Sequence, residues 1–154
     1  MEQNKELPKQ IVEQMYNNDP FSKWLGIQIE EIAKGKAVLK MEIREDMLNG
    51  FGYVHGGVTY SLADSALAFA ANSYNKVSLP IENSMSYPAP ATKGDVLTAK
   101  AETVSMGNKT ATFDVKVYNQ KSEMVGLFRG TVYRTEKEHE REEHTEYIFN
   151  GINH

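Results

Sequence analysis

Residues 56–75, GGVTYSLADSALAFAANSYN, constrain the fold more than any other stretch of the chain. Wound as a helix, they place Val58, Leu62, Ala63, Ala66, Leu67, Phe69, Ala70 and Ala71 around the whole axis, and a helix that is apolar on every side has to be buried. With 154 residues the chain makes one domain, so the rest of the chain must do the covering.

The flanking segments are strands. GKAVLKMEI alternates, with Ala37, Leu39, Met41 and Ile43 on one face and Lys36, Lys40, Glu42 and Arg44 on the other. Four further runs follow the helix. LPIENSMSYPAP is extended and ends at prolines, while GDVLTAKAETV, KTATFDVKVYN and EMVGLFRGTVYRT are joined by the turn signals MGNK and NQKS and form an antiparallel meander. Ala111, Phe113, Val115 and Val117 share the dry face of their strand, and Thr112, Asp114, Lys116 and Tyr118 the wet one. An amphipathic helix over 4–18 carries Leu7, Ile11, Val12 and Met15 and stops at NDP. The next turn, FSKWLG, is expected to pack Trp24 and Leu25 inward. The architecture is α+β: a long central helix enclosed by a curved antiparallel sheet of five to six strands.

Residues 1–134 hold fifteen basic and fifteen acidic side chains, so nothing in them is built to coat nucleic acid. Residues 135–154 form an acidic C-terminal extension with six Glu against one Lys and one Arg, read as a solvated helix or loose tail anchored by Tyr147, Ile148 and Phe149. It also holds His139, His144 and His154, but a spacing of five from the first to the second does not put both on one helical face, and no metal or other cofactor is expected. Without cysteine the chain has no disulfide, thiolate nucleophile or cysteine-bound zinc. No apolar run approaches the roughly 18 residues of a membrane span, and the start lacks a signal-peptide pattern. A cytoplasmic protein with no membrane partner is expected.

One carboxylate, Asp64, interrupts the apolar helix. Burying it unpaired would cost several kcal/mol, so it has either satisfied partners or a chemical task. Gly56 and Gly57 open the same helix, where unpaired N–H groups and partial positive charge form a ready oxyanion hole; the alternative is a plain loop-to-helix turn. Asp64 lies seven residues past Gly57, ~10 Å along the axis, so one reacting atom cannot touch both. Two helices antiparallel across a twofold axis would bring the start of one beside Asp64 of the other. Asn49 can donate to a carbonyl oxygen, and His55 either orients the loop or meets a leaving group.

The ordered set of Asn49, Gly50, His55-Gly56-Gly57 and Asp64 within SLADSALAFA resembles the PaaI-type hotdog-fold acyl-CoA thioesterases of phenylacetate degradation. The likeness extends to MYNNDPFSKWLGI, YPAPATKGDVLTAKAE, GNKTATFDVKVYNQ and VGLFRGTVYR. It implies a hotdog homodimer, usually paired into a homotetramer, that hydrolyses acyl-CoA. Asp64 is then general base or nucleophile, the Gly57 N–H with Asn49 holds the thioester oxygen, and His55 supports the leaving group or the loop. Some relatives carry a water-orienting Ser or Thr on the strand matching LPIENSMSY, where the nearest residues are Pro80 and Ser84. Phe51 and Tyr53 either stack on an aryl group or anchor the loop, Gly56 lies against substrate, and Lys109 and Lys93 are candidates for the CoA phosphates. The rival readings are a hotdog dehydratase and a non-catalytic acyl-CoA binder.

Overall fold

The computed structural model describes residues 3–141. Two helices, α1 (Gln3–Asn17) and α2 (Pro20–Leu25), precede strands β1 (Gln28–Ala33) and β2 (Lys36–Glu42). A short 3-10 turn (Glu45–Met47) and a loop lead into the central helix α3 (Gly56–Asn72), followed by β3 (Lys76–Ser86), β4 (Val96–Met106), β5 (Thr110–Tyr118) and β6 (Met124–Glu138). The strands form one antiparallel sheet in the order β1-β2-β4-β5-β6-β3, curved around α3.

The meander β4-β5-β6 follows the expected alternation. Ala111, Phe113, Val115 and Val117 are buried, as are Leu97, Ala99 and Ala101 of β4 and Phe128 and Val132 of β6, all closing on Leu62, Ala66, Leu67 and Phe69 of α3. Each large side chain buried there contributes about 1.5–3 kcal/mol of transfer free energy. The sheet does not close completely over the helix. One line of α3, Gly57, Ser61, Asp64 and Ala68, stays partly open, and Asp64 lies on it. No described helix is long and apolar enough to cross a membrane.

Three features depart from the sequence reading. β1 went unrecognised because a bulge between Ile29 and Glu31 interrupts its alternation: Glu30 and Glu31 are both exposed, and Ile32 returns to the core. Trp24 points out and is 62% exposed. The six-residue α2 buries Ser22 and Leu25, one turn apart, so Phe21 and Trp24 share the opposite face and stack at 6.0 Å, with the Arg44 guanidinium 5.7 Å over the Trp24 ring. The third departure concerns the boundary at residue 134. β6 runs on to Glu138, which pairs with Lys76, so residues 135–138 continue the sheet rather than forming a helix or tail. Thr135 Oγ1 donates to the Val77 carbonyl, and a His139 ring nitrogen lies 2.8 Å from Asn72 Oδ1 at the end of α3. Tyr147, Ile148, Phe149, His144 and His154 lie outside the described residues.

Candidate active site

The loop before α3 folds around Asn49. Its Oδ1 accepts from the backbone N–H groups of Phe51 and Tyr53 at 2.9 and 3.2 Å, and its own N–H donates to the Tyr53 carbonyl at 2.7 Å. The loop is fastened from both sides, by Val54 N–H to Ala91 O and His55 N–H to Met47 O, each 2.8 Å. His55 then caps α3: its Nδ1 accepts from the Gly57 N–H at 3.1 Å, which places the proton of a neutral ring on Nε2.

This cap redistributes the donors at the helix start. The Gly57 N–H, expected to hold a carbonyl oxygen, is turned to His55. Gly56, the first residue of the helix, has an N–H with no partner among the described residues. Its carbonyl accepts from the Tyr87 hydroxyl at 2.9 Å, and a β-carbon added at 56 would come within 3.3 Å of the Tyr87 ring. Glycine at 56 therefore leaves room for the tyrosine as well as for a ligand.

Gly56 opens on a cavity of about 360 Å³ lined by Asn49, Tyr53, Thr59, Tyr87 and Pro88, among others, with Val125 of β6 at its wall. Asn49, Tyr53 and Gly56 are thus brought together. Phe51 sits at the loop tip, 88% exposed. Lys93 lies beside the loop, 3.4 Å from Glu45 Oε2, next to Thr92, whose hydroxyl donates to the Gly52 carbonyl. Lys109 is remote within one chain. It precedes Thr110, which pairs with Tyr133, eight residues along β6 from Val125 and so ~26 Å away. A larger groove, about 480 Å³, runs between α1 and β1 and holds Glu13, Glu30 and Glu31 but none of these residues.

Asp64 does not line the cavity. It is half-buried, and Asn83 Nδ2 of β3 donates to its Oδ1 at 3.2 Å. Burial raises its proton affinity above that of an ordinary carboxylate; the Asn83 hydrogen bond opposes this and the negative charge of Asp19 reinforces it. An ionised carboxylate only accepts, so Asn83 turns its nitrogen to Asp64 and leaves its Oδ1 buried with no partner among the described residues. Asn83 sits against Gly130 of β6, where a β-carbon would lie 2.6 Å from Asn83 Oδ1 and 2.5 Å from Leu67 Cδ2. The sequence reading missed Asn83 and looked to Pro80 and Ser84. Ser84 lies on the other face of the strand, beside Arg129, and Pro80 lies beyond a bulge, opposite Val132; both are exposed. The available clue was that Asn83 falls in step with Met85, which faces the core cluster.

The family profile described as Thioesterase superfamily matches residues 51–125. The acyl-coenzyme A thioesterase PaaI of Escherichia coli is 39% identical over 120 residues, covering 78% of this chain and 86% of the relative. The solved structure of the E. coli PaaI protein from the phenylacetic acid degradation operon superposes with a TM-score of 0.85, covering 87% of this chain and 97% of that one. A 1,4-dihydroxy-2-naphthoyl-CoA hydrolase of Listeria monocytogenes is 32% identical, over 70% of this chain and 89% of its own. A Streptococcus pneumoniae thioesterase protein solved with coenzyme A is 26% identical with a TM-score of 0.77, covering 82% of this chain and 98% of that one. A free N–H at a helix start, a carboxylate of raised proton affinity two turns on, and this likeness along most of the chain lead to one assignment: the chain belongs to the thioesterase superfamily, among the PaaI-type hotdog acyl-CoA thioesterases.

Proposed function

We propose that this chain hydrolyses the thioester of acyl-CoA molecules with a compact acyl group, aryl-acetyl groups among them, releasing the free acid and CoA. The observation that carries the reading is the unpartnered Gly56 N–H, opening on a cavity at the positive end of a helix that also bears Asp64. Asp64 takes a proton from water as the water attacks the thioester carbon. The oxygen that becomes negative is held by the Gly56 N–H and the helix start; the C–S bond then breaks, the departing sulfur takes up the proton that Asp64 removed from water, and CoA leaves as the thiol. Tyr53, Tyr87 and Pro88 give the cavity flat walls suited to a ring, and its volume lies at the small end of ligand sites.

Gly56 and Asp64 are eight residues apart on one helix, ~12 Å, so the working site joins the helix start of one copy to Asp64 of another. β3 supports such a dimer. Among the described residues it ends the sheet and pairs only with β6, and it presents Leu79 and Ile81 at 59% and 61% exposure. An eleven-residue edge of unpaired backbone with exposed apolar side chains is suited to pairing with a second copy of itself. Pairing of two such dimers gives the tetramer.

The test of substrate class is a panel of aryl and aliphatic acyl-CoAs with free thiol as readout; failure to release thiol from every member overturns the reading. Asn49 is separable by substitution. Asn49→Asp keeps the oxygen that accepts from Phe51 and Tyr53 but deletes the amide donor, so the melting temperature should hold while kcat falls. Asn49→Ala should lower both. An unchanged kcat in the aspartate variant would reduce Asn49 to a brace of the loop.

A further inference from the structure

Asp19 caps α2, and its side chain reaches beyond the cap. Its Oδ1 accepts from the Ser22 N–H at 2.9 Å, and its Oδ2 lies 2.5 Å from the Ser22 hydroxyl, whose oxygen is 2.8 Å from the hydroxyl of Ser65. A carboxylate only accepts, so Ser22 donates to Asp19 and Ser65 in turn donates to Ser22. Both serines are buried, and Ser65 adjoins Asp64 in sequence. The chain of bonds therefore pins the capping carboxylate of one helix to the residue next to the carboxylate of another.

As a cap alone, this arrangement is more than the helix needs. A serine, threonine or asparagine at 19 would satisfy the same N–H without placing a second negative charge beside Asp64. We propose that Asp19, held through Ser22 to Ser65, is a positioning residue for hydrolysis: it touches no substrate and acts on Asp64 through its charge. The inference rests on Asp64 serving as the base. Among the described residues neither Asp19 nor Asp64 forms an ion pair. Lys23 of α2 donates to the Asn17 carbonyl, Arg129 of β6 pairs with Asp114 on the outer face, β3 contributes the uncharged Asn83, and Lys40 and Lys100 of β2 and β4 lie on the outer face of the sheet. Burial raises the proton affinity of Asp64 most, the Asn83 hydrogen bond lowers it, and the Asp19 charge adds to the rise.

Asp19→Asn removes the charge and keeps a good cap, with the Ser22 hydroxyl free to turn and accept. The measurement is the pH profile of kcat/KM, whose acid limb reports the base of the free enzyme. In the variant the midpoint of that limb should move to lower pH. The difference from the unsubstituted enzyme should shrink as salt is raised from ~0.1 M to ~1 M, where the screening length falls from about 10 Å to about 3 Å. Ser22→Ala keeps the charge and breaks the bonded chain, so it should lower the melting temperature and leave the midpoint in place. A midpoint unmoved in Asp19→Asn, whatever happens to stability, overturns the inference. Asp64→Asn run alongside separates the two readings: retained turnover there overturns the assignment of the base itself, whereas lost turnover with an unmoved Asp19→Asn midpoint overturns only the role of Asp19.

Discussion

Asp64→Asn is expected to lower acyl-CoA turnover by at least about a hundredfold while leaving the melting temperature unchanged or higher. The two halves of that result have one origin. Burial and the Asp19 charge raise the carboxyl of Asp64 above its unfolded value of 3.8, so the folded chain holds this proton more tightly than the unfolded one. The resulting stabilisation is fully present below the unfolded value and is lost as pH rises through the higher folded value. At neutral pH the ionised Asp64 is a burden on the fold. The isosteric amide removes the burden and keeps a partner for Asn83, but it can neither take a proton nor attack. Thiol release and a thermal melt on the same preparation decide the matter. If turnover falls only in proportion to folded protein, Asp64 serves structure.

Gly56→Pro should reduce kcat by about a hundred- to a thousandfold, the usual consequence of deleting one oxyanion donor. Position 56 is the first of α3, where proline is well tolerated because its missing N–H would have no helical partner. The residue before it, His55, has φ −63° and ψ 132°, a conformation that a following proline favours. The helix should therefore start as before, with a ring carbon where the proton was. Gly56→Ala is the companion variant, since both carry a β-carbon against the Tyr87 ring and only one lacks the N–H. Equal kcat in the two variants would mean that crowding of Tyr87, and not the donor, accounts for the loss.

The wrap of a sheet around α3 was legible because a helix apolar on all sides has few solutions, and the meander was legible because its strands alternate without interruption. Where the pattern breaks, so did the reading. The bulge in β1 hid a strand, and Trp24 was placed inside because residue type suggests burial, whereas a six-residue helix has only one inward face and Ser22 occupies it with Leu25. At the candidate site, residue types pointed to the loop before α3 and to α3 itself. They could not divide the labour between adjacent glycines, which depends on where the His55 ring turns, nor find Asn83, whose role comes from a strand distant in sequence. The link from Asp19 to Ser65 spans 46 residues and left no local trace.

Gly130 shows how geometry rather than reactivity can fix a position. At this point β6, β3 and α3 converge so closely that a single methyl group would collide with both Leu67 and the amide that faces Asp64. No atom of Gly130 is reactive, and a survey that replaced only acids, bases and hydroxyls would pass over it. Yet every other amino acid brings the same β-carbon, so a conservative exchange is no gentler in kind than a drastic one. Tolerance to substitution at 130 is therefore decided by space shared among three elements, and any side chain there requires both Leu67 and Asn83 to give way.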